Sequence, residues 1–125
     1  MHPSIHNEQR LSFRHQVDLP VDLILSNGTT LKVNACNLSM KGILISCDEW
    51  GSKQIESRGI HNHPFDHIRI NIIAELDKQN KLHANSRIII ARRMSQDNYL
   101  IGLEFIDFQN NSDASLQTYI NAIKE

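Results

Sequence analysis

Residues 17 to 25 alternate without a break, with Val17, Leu19, Val21, Leu23 and Leu25 on one face and Asp18, Pro20 and Asp22 on the other. A period of two fits a strand with one buried face, and it leaves little freedom for anything else. Pro20 has no N–H to give a ladder, so it points to an edge or a bulge. Asn27-Gly28 follows at once, the strongest short hairpin signal a sequence offers. A second strand is expected from about Thr29 to Leu38.

The parity of that second strand changes partway. Leu31 and Val33 are apolar at odd positions, Cys36 and Leu38 at even ones. One extra residue near Asn34 or Ala35 reconciles the two halves, and such a bulge is expected to turn Asn37 and Ser39 outward. After a turn at Met40 to Gly42 comes a third strand, Ile43 to Cys47. Residues 49 to 65 break the pattern and read as a long loop. Strand signals resume at Ile68, Ile70 and Ile72, then at Leu82, Ala84, Ile88 and Ile90, and finally at Tyr99, Ile101, Leu103 and Phe105. Polar turns fall near Asp77 to Lys81 and Ser95 to Asn98. Six closely spaced strands without an intervening helix predict a mainly β fold, a six-stranded antiparallel β-barrel. Leu116, Tyr119, Ile120 and Ile123 then recur at helical spacing, so an amphipathic helix is expected from about Ser112. Its apolar stripe needs a surface, most simply a barrel mouth. The resulting division is an N-terminal arm over 1–15, a barrel over 16–108 and a C-terminal helix over 109–125.

At 125 residues the chain suffices for one domain with its own core. Its formal net charge is −1, so no global basic field draws in a DNA or RNA polymer. Any anion must be held by locally placed arginines, which favours a small ligand. No segment approaches the roughly 20 apolar residues that span a membrane. Residues Met1 to Arg14 lack the apolar stretch of a signal peptide, so no membrane insertion and a cytoplasmic location are expected. Cys36 and Cys47 flank the second turn, and reduced thiols suit that compartment.

Two short stretches stand apart from this plain background, Arg10-Leu11-Ser12-Phe13-Arg14 and Asn37-Leu38-Ser39-Met40-Lys41-Gly42. Arg10 and Arg14 are four apart and share a face in either an extended or a helical segment. Extended, their Cα atoms lie about 13 Å apart, enough to bracket a base and a phosphate. Guanidinium groups grip phosphate or the Hoogsteen edge of guanine bidentately and stack on bases. Asn37 and Ser39 supply short hydrogen-bonding groups, and Gly42 lets backbone approach closely. The set suits a compact anionic guanine nucleotide.

R-x-x-x-R, one alternating strand, an Asn-Gly hairpin and N-x-S-x-x-G closing the next strand together resemble the PilZ domain family. That family carries R-x-x-x-R followed roughly 20 to 30 residues later by D/N-x-S-x-x-G. Leu100-Ile101-Gly102-Leu103-Glu104-Phe105 is also similar to its final strand, often I-G-V/L-x-F. The resemblance runs from about Gln9 to Asp107. It implies a six-stranded antiparallel barrel that binds the bacterial second messenger cyclic di-GMP. Arg10 and Arg14 then contact phosphates and guanines, Asn37 faces a guanine edge, Ser39 hydrogen-bonds ligand and Gly42 allows the turn. Gln9, just before the first Arg, bears on whether one ligand or a stacked pair binds. Lys41, Arg92 and Arg93 are further candidate phosphate contacts from neighbouring strands. Binding is expected to order the arm over the barrel and so signal to an effector protein, with biofilm, motility or virulence control as implied settings. Asn37 stands where Asp is more frequent and offers one acceptor oxygen in place of a carboxylate.

Two other readings start from different features. A PilZ-fold interaction module without nucleotide would lack the two motifs, which are intact here. The chain has seven histidines, of which His61, His63 and His67 cluster beside Asp66, with His2, His6 and His15 near the N-terminus. H-x-H spacing suits metal, yet no Cys, Asp or Glu set completes a site, so no metal and no cofactor are expected. Ser39 in a turn is no nucleophile elbow, and no nucleophile and base stand at catalytic spacing. The chain reads as a receptor and not an enzyme.

Overall fold

A computed structural model describes residues 14–56 and 69–123. The alternating first segment forms β1 (His15–Ile24), with Leu19, Val21, Leu23 and the adjoining Leu25 buried. Gly28 takes a positive φ of 91° in the turn that follows, a conformation glycine adopts without a Cβ penalty. The chain continues through β2 (Thr30–Leu38), β3 (Gly42–Cys47), helix α1 (Glu49–Glu56), β4 (Arg69–Glu75), β5 (Lys81–Ser95), β6 (Asn98–Phe108) and helix α2 (Ser112–Ile123). The strands pair antiparallel and close into a barrel in the order β1-β2-β3-β6-β5-β4. β1 meets β4 only over Asp22–Ile24, so Pro20 lies outside that seam and no β4 carbonyl needs its missing N–H.

Inward residues of every strand fill the barrel, among them Ile43, Ile45, Ile70, Ile72, Leu82, Ala84, Ile88, Ile101 and Leu103. Buried Ser86 fits among them because its hydroxyl donates to the Ile70 carbonyl at 2.8 Å. Helix α2 begins at Ser112 as its periodicity predicts and lies against β5, burying Leu116 and Ile120. Its start is tied down by the Ser112 hydroxyl, which accepts from the His83 N–H at 2.9 Å. In the β4–β5 turn the Asp77 carboxylate collects donors from Asn80 and Gln79, and these, Asn80 foremost, hold its pKa below the usual carboxylate range.

Three details depart from the sequence reading. The bulge in β2 falls at Cys36 and not at Asn34 or Ala35: Ala35 pairs with Ile45 and Asn37 with Leu44, leaving Cys36 as the extra residue. Residues 49 to 65 do not run as an uninterrupted loop, because they begin with α1. That helix escaped notice because Ile55 is its one fully buried aliphatic, while Trp50 is 61% exposed, so it carries no stripe. It is held instead by Asp48, whose carboxylate caps the Gly51 N–H at 2.7 Å, and by a Glu49–Lys53 pair at 3.3 Å. Finally, Ile90 does not continue the inward series of Ile88. Ile88 pairs with Leu103 and Ile90 with Gly102, so Ile89 is also an extra residue and Ile90 emerges on the outer face.

Candidate functional site

The turn between β2 and β3 is built by Ser39. Its N–H donates to the Gly42 carbonyl at 2.9 Å, and its hydroxyl accepts from the Lys41 and Gly42 N–H groups at 3.1 and 3.2 Å. Ser39 is only 1% exposed. The expectation that the bulge turns both Asn37 and Ser39 outward is therefore corrected for Ser39, whose side chain is spent on the turn. Gly42 has a different reason to be glycine. A Cβ built there stands 2.3 Å from the Leu103 carbonyl oxygen, so β3 and β6 approach each other only because it is absent.

Asn37, half-buried beside the Cys36 bulge, points its amide oxygen at Arg14, which stands just before β1. The Arg14 guanidinium donates from Nη1 to Asn37 Oδ1 at 3.0 Å. Arg14 thereby sits on a saddle between two depressions in the outer wall of the barrel. One, of about 220 Å³, is lined by Arg14, Asn37, Leu44, Ile90, Arg92 and Leu100. The other, of about 170 Å³, is lined by Arg14, Ser39, Lys41, Gly42, Ile89, Leu103 and Glu104. The first has an aliphatic floor with guanidinium groups at its rim, which suits the face of a planar base. The second gathers a lysine, an arginine and a carboxylate over a tight turn.

The depressions bring together Arg14, Asn37, Lys41 and Arg92, which the sequence singles out as candidates, with Leu44, Ile90, Leu100 and Glu104, which it does not. A signal for the aliphatic ones was present. Ile43-Leu44-Ile45, Ile88-Ile89-Ile90 and Leu100-Ile101 are unbroken apolar runs in strands with one wet face, so some of those side chains must point outward. Glu104 carried no such mark. It pairs across strands with Arg87, which donates from Nε at 2.8 Å and Nη2 at 2.7 Å.

Gln9 and Arg10 lie outside the described residues, as do His61, His63, His67 and Asp66. Among the described residues no group of three or more His, Cys, Asp or Glu is placed to hold a metal ion. Neither Cys36 nor Cys47 is in a disulfide. The Cys36 Sγ donates to the Leu44 carbonyl at 3.5 Å, and burial pushes its pKa up. No helix among the described residues is long and apolar enough to cross a membrane.

The described residues thus form an antiparallel barrel whose bore is packed with side chains and whose cleft lies on the outer wall, crossed by one arginine. The chain belongs to the PilZ domain family, which matches residues 8–122. No curated protein matches it by sequence. Solved structures share the fold. The inhibitor of motility MotI/DgrA of Bacillus subtilis superposes with a TM-score of 0.68 at 12% identity, over 93% of this chain and 51% of that one. The chain thus spans about half the length of that protein. The PilZ domain of YcgR from Escherichia coli, solved with c-di-GMP, gives 0.63 at 12% identity over 90% of this chain and 89% of that one. PlzA of Borreliella burgdorferi, solved in complex with c-di-GMP, gives 0.59 at 10% identity over 98% of this chain and 56% of that one.

Proposed function

We propose that this chain is a receptor for cyclic di-GMP and performs no chemistry on it. The observation that carries the reading is the position of Arg14 between two depressions, fastened by one hydrogen bond to Asn37. A ligand with two planar bases and two phosphates is the kind of molecule such a saddle serves. The aliphatic floor of Leu44, Ile90 and Leu100 takes a base face, while Arg14 and Arg92 stack on it or reach phosphate. Lys41 meets the second phosphate from the turn. Ser39 and Gly42 act by fixing that turn. Arg10 and Gln9 join from the segment that precedes Arg14.

Binding adds, from the remaining guanidinium donors of Arg14, hydrogen bonds charged on both sides, the stronger kind, while Asn37 keeps its hold on Nη1. It draws the segment before Arg14 over the outer wall, and this changed surface is what an effector protein reads. Support comes from the family and from two of its structural neighbours, YcgR and PlzA, each solved with c-di-GMP.

Calorimetric titration of cyclic di-GMP tests the reading. Wild type should bind, and Arg10→Ala/Arg14→Ala should lose at least about tenfold, the effect of removing charge-assisted hydrogen bonds. Absence of heat with the wild type overturns the receptor reading in favour of a PilZ-fold interaction module. Equal binding by both proteins overturns the site.

A further inference from the structure

We propose that Glu104 is the carboxylate that reads a guanine edge in this site, an inference that rests on the cyclic di-GMP reading above. Glu104 lies on β6 opposite Gly42 of β3 and Arg87 of β5. It lines the depression shared by Arg14, Ser39 and Lys41, and no other carboxylate among the described residues lines either depression at Arg14. Its side chain is 38% exposed and so accessible to a ligand.

Both donors of Arg87 land on the same oxygen, Oε1, at 2.8 and 2.7 Å. The carboxylate is thereby fixed in direction, while Oε2 takes no part in that pair. Guanine presents two adjacent donors, N1–H and N2–H₂, on its Watson–Crick edge. A carboxylate has two acceptor oxygens and accepts both with charge assistance. Asn37 has one amide oxygen, and it already receives Arg14. Arg87 pairs with Glu104, and Arg14 and Lys41 line the same depression, so cations outnumber its one carboxylate and phosphates are still attracted to this lobe. Glu104 thus restores, from the last strand, the acid that position 37 lacks.

Titration of cyclic di-GMP and its inosine analogue, which lacks only the 2-amino group, distinguishes reading from mere cross-strand pairing. Wild type should prefer the guanine ligand by about tenfold, because a deleted donor leaves its acceptor unpaired. Glu104→Gln should reduce that preference to about threefold or less. Arg87→Met, which removes the pair but keeps the carboxylate, should retain the preference. A preference unchanged in Glu104→Gln overturns the proposal, and so does an equal loss in Arg87→Met, which would make Glu104 a strut of the sheet. If wild type binds neither ligand, the receptor reading itself falls.

Discussion

Asn37 stands where the family more often carries Asp, and in the structure it faces Arg14. Its amide oxygen holds Arg14 at 3.0 Å without charge on the acceptor side. An exposed contact of this kind is weak, so Arg14 is placed but not locked. A carboxylate at 37 has acceptor sites for Arg14 and a ligand donor together. Asn37→Asp should therefore tighten cyclic di-GMP by about fivefold, or about 1 kcal/mol, as read by calorimetry. Unchanged or weaker binding would contradict this account of position 37. Arg14 and Asn37 were legible in the sequence because their chemical types and spacing are distinctive. The role of Ser39 was only half legible. Spacing shows that a hydroxyl belongs there, yet not that it is 1% exposed and engaged by the Lys41 and Gly42 N–H groups.

At the level of elements, the cleft depends on how closely β3 lies to β6. Leu103 O would stand 2.3 Å from a Cβ on Gly42, and that oxygen belongs to backbone that cannot swing aside. Gly42→Ala should force the strands apart and cost about 1–3 kcal/mol, the range for overpacked sites, measured as a fall in stability by urea unfolding. Because Lys41 and Ser39 adjoin the same contact, ligand affinity should fall as well. An alanine variant as stable as wild type would contradict the close approach. The strands themselves were legible from alternation, as β1 shows residue by residue. The bulges at Cys36 and Ile89 were harder. A parity change locates a bulge only to within a residue or two, and an all-isoleucine run hides where inward becomes outward. Helix α1 was illegible for an energetic reason: capping by Asp48 and one buried Ile55 hold it, and neither produces periodicity.

For the whole molecule, a net charge of −1 gives no global basic field, so any anion must be held by locally placed cations. Arg14, Lys41 and Arg92 converge on one stretch of the outer wall, where β1 enters and where β3, β6 and β5 run side by side. The barrel interior is filled by aliphatic side chains and serves as the rigid support for that wall. A further depression, lined by Pro20, Asp22, Lys32, Ile73, Ala74 and Glu75, adjoins the β1–β4 seam and carries no arginine. We propose that cyclic di-GMP occupies the saddle at Arg14. The most direct test is titration of the ligand into isotopically labelled protein while backbone amide resonances are followed. Shifts should concentrate at Arg14, Asn37 to Leu44, Ile89 to Arg92 and Leu100 to Glu104, with α2 and the Pro20 depression unchanged. Shifts centred on Lys32 and Glu75, or none at saturating ligand, would contradict the proposal.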